Sequence, residues 1–203
     1  MKIVFIGTPE FGAIILESLI KNGFKPVSVV TSHDKKIGRK QLLTPSPVKK
    51  VALKNGIPLL QLNRIEDSSQ EIEKLKPDLG IVAAYGQMIP KDILSMPKHG
   101  FLNVHPSLLP KYRGSSPIQW PILKGEKETG VTIMLVDEKM DHGPILKQTR
   151  LSFGEKETAK ILHDILAHLG ADLLLKTIPD WINGKIKPVS QNEKEATFSE
   201  ILK

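Results

Sequence analysis

The chain has 203 residues, 40% of them hydrophobic and 25% charged, enough for one full domain with a sizeable core. It contains no cysteine, which excludes disulfides and thiolate metal sites and fits a reducing compartment. The net charge of +7 is unevenly placed: residues 1–100 hold 15 Lys and Arg against 9 Asp and Glu, whereas residues 101–203 hold 14 against 13.

The N-terminus, MKIVFIGTPE, has a single Lys and a short apolar run, too short for a signal peptide or a membrane span. It reads as a first strand, and the protein is expected to be cytoplasmic with no membrane partner. Lys2 to Gly7 forms that strand, and Pro9 suits the first turn of the helix that follows. Phe11, Ile14, Ile15, Leu16, Leu19 and Ile20 keep a helical period up to Asn22-Gly23. Gly7 and Gly12 do not make a G-x-G-x-x-G fingerprint, so no dinucleotide site is assigned.

Lys25 to Thr31 is a second strand, and Ser32 to Thr44 is a basic loop without hydrophobic period. Lys35, Lys36, Arg39, Lys40, Lys49, Lys50 and Lys54 stand here against Asp34 alone, an excess that suits a polyanion such as nucleic acid, or a solvated lysine-rich surface. Ser46 reads as an N-cap with Pro47 at the first helical position of a helix ending at Lys54. Pro58 to Leu62 is a short strand. Asp67 to Leu75 is a polar helix capped by Asp67 or Ser68, and Asp78 to Ala84 is an apolar strand of the kind covered on both faces.

Lys91 to Met96 is a short helix, Gly100 to Val104 a strand, and Ser116 to Leu123 a helix started by Pro117. Thr129 to Val136 and Ile145 to Leu151 are strands of a hairpin joined by DEKMDHGP. Thr158 to Ile178 is the longest helix, with Ile161, Leu162, Ile165, Leu166, Leu169 and Leu173 on one stripe. A short helix at Trp181 and Ile182 follows, and the tail from Gln191 is polar and irregular. The alternation predicts an α/β fold: a doubly wound, mostly parallel sheet with helices on both faces. Ligands bind such sheets outside the carboxyl ends of strands, where the turns after Gly7 and at Ala84 to Gly86 fall.

The stretch FLNVHPSLLPKYRG, Phe101 to Gly114, runs from strand into loop. Asn103 and His105 are two apart and therefore share a strand face. An amide can hold a developing oxyanion, and an imidazole can move or offset a proton near neutral pH. Spacing alone leaves open a polar pair that simply satisfies backbone. A working imidazole usually has a carboxylate to orient it. Asp141 is the best candidate, because Gly143-Pro144 makes a tight turn behind it; Asp137 and Glu138 compete, and Asp137 suits a loop-capping role. Ser107 lacks the G-x-S-x-G context of a nucleophile, and His163 and His168 do not share a helix face. His142 is expected to be exposed. The residues point to non-covalent, metal-free acyl-type transfer by Asn, His and Asp.

LNVHPSLLPKYRG, Leu102 to Gly114, and GVTIMLVDEKMDHGPIL, Gly130 to Leu146, resemble the signature segments of the formyltransferases that use 10-formyltetrahydrofolate. FIGTPEF, SHDKKIGRKQLLTPSPVK and AAYGQMIP are similar to segments of the branch that formylates initiator methionyl-tRNA. The resemblance implies a Rossmann-like fold with Asn103, His105 and Asp141 as the catalytic residues. It implies folate contacts at Tyr85, Gln87, Met88, Ile89, Val136 and Asp137. Ser107, Leu108, Leu109, Pro110 and Arg113 would flank the acceptor, and Arg39 and Lys40 would contact tRNA. It also implies a catalytic domain over residues 1–188, with residues 189–203 opening a linker to a further domain. Sugar-nucleotide and glycinamide-ribonucleotide formyltransferases use the same three residues, and the loop Asp34 to Lys40 discriminates against them. A catalytically silent folate- or RNA-binding module is the other alternative.

Overall fold

A computed structural model describes residues 1–38, 40–154 and 156–202. Its strands build a seven-stranded sheet within an α/β fold, and the chain divides into two compact units, residues 1–101 and 102–203.

The first unit runs β1 (Ile3–Gly7), α1 (Glu10–Lys21), β2 (Ser28–Thr31), β3 (Lys35–Ile37), β4 (Leu42–Thr44), α2 (Pro47–Lys54), β5 (Leu59–Gln61), a 3-10 turn (Ile65–Ser68), α3 (Ser69–Leu75), β6 (Leu79–Ala83) and α4 (Lys91–Leu94). Its sheet strands are all parallel, in the order β6-β1-β2-β5. Every residue of β1, β2 and β6 is buried, as the apolar strand over 78–84 leads one to expect. At Gly7 and Gly12 a Cβ would come within 2.6 and 2.8 Å of the Ala83 carbonyl oxygen, so α1 and the end of β1 close tightly on β6 because both positions are glycine.

The Ser46-Pro47 start of α2 is as expected: the Ser46 hydroxyl accepts from Lys49 N at 3.0 Å. Two details differ. Pro9 is the N-cap of α1 rather than a first-turn residue, and Ser68, the expected N-cap of α3, makes no side-chain cap bond but donates its hydroxyl to the Ile65 carbonyl at 2.6 Å. The larger difference is the basic segment. It is an antiparallel hairpin, Lys35 opposite Thr44 and Lys36 opposite Leu43, closed by Gln41 N donating to Gly38 O. Periodicity missed it because the strands are three residues long and Leu42 and Leu43 are exposed.

The second unit holds β7 (Phe101–His105), β8 (Arg113–Gly114), α5 (Gln119–Leu123), β9 (Glu128–Leu135), β10 (Ile145–Ser152), α6 (Ala159–Ile182), a 3-10 turn (Glu193–Glu195) and β11 (Phe198–Ser199). β9 pairs antiparallel with both β7 and β10. α6 is one helix where two were expected. Pro179 sits in its last turn, where a proline removes one ladder bond without ending the helix.

The expected stripe on α6 is rotated. Leu162 and Leu166 are buried, but Ile161 and Ile165 are exposed, and the buried line continues through Ala167, Gly170, Ala171, Leu174 and Ile178. Small residues occupy that line because the helix lies close on β7 and β9: a Cβ on Gly170 would stand 2.7 Å from Val104 Cγ1 and 3.2 Å from Val131 Cγ1. Choosing the face by side-chain size selected the wrong neighbouring column.

The tail also differs from the irregular segment expected. Val189 bridges Ile145 through two backbone bonds, and β11 pairs in parallel with β8. Arg113 is 2% exposed, and its guanidinium meets Glu193 at 2.7 and 3.0 Å. That guanidinium holds the Glu193 carboxyl below the usual carboxylate range. Among the described residues no helix is long and apolar enough to cross a membrane.

Gly170→Val forces a three-carbon isopropyl group between α6 and the sheet and lowers the melting temperature by several degrees, on the order of 1–3 kcal/mol, as thermal unfolding measures. The Arg113–Glu193 pair gives a pH signature. A carboxyl held low in the folded state stabilises above its free value, about 4.3, and the contribution is lost as pH falls through the lowered folded value. Glu193→Gln therefore melts below the unmutated chain at pH 7, and the gap narrows once the pH is taken below the free value; a gap as large at acid pH as at pH 7 contradicts this.

Candidate active site

Asn103 and His105 project from β7, and Asp141 from the connection between β9 and β10. The three meet at one carboxylate. Asn103 Nδ2 donates to Asp141 Oδ1 at 3.2 Å, and His105 Nδ1 lies 3.5 Å from the same oxygen. Gly114 N donates to Asp141 Oδ2 at 2.8 Å. Strand spacing and the Gly143-Pro144 turn thus identified a trio that the fold assembles within the second unit.

Local sequence explains the delivery of Asp141. Gly143 is buried where a Cβ would stand 1.9 Å from the Leu135 carbonyl oxygen, so only glycine lets the loop return this close to β9. Leu135 N then donates to the Pro144 carbonyl at 2.9 Å, closing the loop. Asp141 itself holds a left-handed backbone, φ +49°. The competitor Asp137 is used elsewhere: it accepts from Lys139 N at 2.9 Å and faces His142 Nδ1 at 2.6 Å. His142 is half-buried rather than exposed, because Asp137 and Glu193 flank it.

His105 is 4% exposed, and its Nε2 lies 3.0 Å from the Tyr112 carbonyl oxygen. A carbonyl only accepts, so Nε2 carries the proton and Nδ1 is the atom turned to Asp141. Asn103 is half-buried, and one of its two amide hydrogens is committed to Asp141. The trio therefore combines an oriented amide donor, a ring fixed through Nε2 with Nδ1 close to Asp141, and a carboxylate held by the Asn103 amide and the Gly114 N–H. Such an arrangement can stabilise a developing oxyanion and take up an amine proton.

The loop after β7 is built around Thr132. Its hydroxyl donates to Ser107 O at 2.7 Å and accepts from Leu109 N at 3.1 Å and Gln148 Nε2 at 2.8 Å. Ser107 and Leu109 are buried, and the Ser107 hydroxyl donates to Lys111 O at 2.6 Å. Leu108 and Pro110 remain half-buried. Arg113 likewise turns inward, to Gln191 and Glu193. Burial pushes the Tyr112 hydroxyl up to about 12, aided by its 2.7 Å bond to Glu126.

In the first unit, Ala84 takes a left-handed backbone after β6. Tyr85 is half-buried, with its hydroxyl pushed up by burial, and Ile89 is buried. Gln87 is exposed, and its side chain accepts from Ile65 N and donates to Asn63 O; Met88 is exposed. Val136 and Asp137, in the second unit, are half-buried. Lys40 is exposed, and Arg39 lies outside the described residues.

Sequence reasoning missed the Tyr112 carbonyl, the Gly114 N–H and the tail residue Gln191, whose amide donates to the Asp141 and Gly143 carbonyls at 2.9 and 2.7 Å. Only Gly114 carried a signal, being a glycine at φ +110°.

A sequence model described as formyl transferase matches residues 1–178. Relatives named methionyl-tRNA formyltransferase, from Bacillus thuringiensis (strain Al Hakam) and Bacillus anthracis (strain CDC 684 / NRRL 3495), are 47% identical over 205 aligned residues, covering all of this chain and 65% of theirs. An N-formyltransferase from Helicobacter canadensis, solved with folinic acid and dTDP-3-aminofucose, superposes with a TM-score of 0.77 at 26% identity, covering 98% of this chain and 70% of its own. A phosphoribosylglycinamide formyltransferase from Bacillus halodurans shares the fold, with a TM-score of 0.75 at 23% identity over 91% of this chain and 97% of its own. The Rossmann-like arrangement is therefore shared with solved formyltransferases, and the match over residues 1–178 shows that the chain belongs to the formyl transferase family.

Proposed function

We propose that this chain transfers the formyl group of 10-formyltetrahydrofolate to the amino group of initiator methionyl-tRNA, giving formylmethionyl-tRNA for translation initiation in the cytoplasm. One observation carries the chemistry: Asn103 and His105 converge on a single oxygen of Asp141. The tRNA acceptor is supported by relatives of that name at 47% identity, whose length this chain spans to 65%.

The residues divide the work as follows. The methionyl amino nitrogen attacks the formyl carbon, and a C–N bond forms while the carbonyl oxygen becomes an oxyanion. Asn103 donates to that oxygen, and His105, held by the Tyr112 carbonyl, offsets its charge. Asp141 accepts the amine proton, directly or through water. The bond from the formyl carbon to folate N10 then breaks, N10 takes a proton, and tetrahydrofolate leaves. Flat, hydrogen-bonding rings are commonly read by backbone groups. We assign that role to Tyr85, Gln87, Met88 and Ile89, in the turn after β6, and to the loop at Val136 and Asp137. We assign tRNA contact to Arg39 and Lys40.

Purified chain mixed with 10-formyltetrahydrofolate and charged initiator tRNA yields formylmethionyl-tRNA. Product with an amino sugar nucleotide or glycinamide ribonucleotide, and none with tRNA, contradicts the acceptor. Asn103→Ala lowers kcat by about 10²–10³-fold while folate affinity, measured by titration, stays within about twofold. Persistent turnover sinks the role given to Asn103. Arg39→Ala raises KM for tRNA about tenfold and leaves folate KM unchanged; equal losses for both contradict a tRNA contact.

A further inference from the structure

Gln191 lies beyond residues 1–178, the part matched by the family model, and no step of the proposed reaction uses it. A primary amide offers two N–H groups and two lone pairs. Here all four are taken. Nε2 donates to Asp141 O at 2.9 Å and to Gly143 O at 2.7 Å, and Oε1 accepts from Arg113 Nε at 3.1 Å and Nη2 at 2.9 Å.

The two carbonyls belong to the residues that make the reactive loop. Asp141 has a left-handed backbone at φ +49°, a conformation that a residue with a side chain keeps only where its surroundings hold it. Gly143 is where the loop passes within contact of Leu135. Gln191 therefore grips the loop on both sides of His142. The tail grips Asp141 a second time. The Gly114 N–H that binds Asp141 Oδ2 belongs to β8, and Gly114 pairs with Ser199 of β11. Asp141 is thus held through its own carbonyl by Gln191 and through its carboxylate by a strand that the tail completes.

Docking of the tail does not require Gln191. Arg113 pairs with Glu193, Arg113 N donates to Thr197 O at 2.9 Å, and Ser115 N donates to Ser199 O at 3.0 Å. Among the described residues of the tail, the donors to the Asp141 and Gly143 carbonyls come from Gln191. We infer that Gln191 is a positioning residue, setting Asp141 against Asn103 and His105. The inference rests on the proposed formyl transfer.

Two substitutions separate this role from docking. Gln191→Glu keeps an acceptor for Arg113 but turns carboxylate oxygens on the Asp141 and Gly143 carbonyls. Gln191→Met removes the amide at similar size. In the 203-residue chain, both lower kcat for formyl transfer about tenfold and leave KM for 10-formyltetrahydrofolate within about twofold. Both also displace the imidazole nitrogen resonances of His105 in NMR spectra, a readout that needs no turnover. Glu193→Gln, which breaks the Arg113 ion pair and spares the bonds of Gln191, leaves kcat within about twofold and the His105 resonances in place. Unchanged kcat or unmoved His105 resonances in the Gln191 variants overturns the inference, as does a Glu193→Gln chain that matches them in both. If the unmutated chain formylates no acceptor, the proposed function fails, and the His105 resonances alone decide whether Gln191 sets Asp141.

Discussion

The second unit turns on one carboxylate. Asp141 is addressed by an amide hydrogen of Asn103, a ring nitrogen of His105 and the backbone N–H of Gly114. A carboxylate drawn this far from water is tolerable only when donors replace the lost hydration, and charge-assisted hydrogen bonds contribute roughly 1.5–3 kcal/mol each where they form. The same donors give the group its direction. Asp141 cannot turn away without stranding the Asn103 and Gly114 donors, so under the proposed function the reaction has a fixed acceptor for a proton.

That fixity is built by parts of the chain with little else in common. β7 supplies two side chains by simple alternation. The β9–β10 connection supplies the third because Gly143 lets it return against β9. Thr132, on the same strand, ties down the loop after β7 by satisfying Ser107 O, Leu109 N and Gln148 together. Tyr112, at φ +60°, turns its carbonyl to His105 while its N–H is held by Thr197 of the tail. A buried polar network of this kind is stable only when each member is satisfied, and rigidity is its by-product. Under the proposed function, preorganised donors matter because they stabilise charge without having to reorient as it forms.

What the sequence revealed follows from range. Asn103 and His105 were legible because a period of two is local, and Asp141 because Gly143-Pro144 marks a turn within the same short loop. The Ser46-Pro47 helix start was legible for the same reason. The partners that complete the site were not. Tyr112 O and Gly114 N are backbone atoms, and residue identity says little about where a backbone atom will point. Gln191 reaches Asp141 across fifty residues of sequence, and β8 and β11 are two-residue strands whose pairing no hydrophobic pattern announces. On α6 the pattern was present but misleading: Ile161 and Ile165 are larger than Ala167 and Gly170, yet close approach to β7 and β9 selects the small residues. The trio was readable, then, and its support was not.

In the first unit, the basic segment shows how charge is made usable. A hairpin of two three-residue strands, with Leu42 and Leu43 exposed, has too little buried surface to hold itself. Its base is held from outside. Asp34 accepts from Lys49 of α2 at 2.8 and 2.9 Å and from Gln61 of β5 at 3.2 Å, and Gln61 also donates to Ser32 O. Those bonds keep the Asp34 carboxyl below its ordinary range. Lys49 is thus neutralised at the root, while Lys35, Lys36 and Lys40 stay exposed on the hairpin and Lys50 and Lys54 on α2. The single acid of the region serves as a hinge pin rather than as a counter-charge for the rest. Under the proposed function this is what a phosphate-reading element needs: positive charge left exposed, on a support fixed at its base, where it can be drawn to a polyanion.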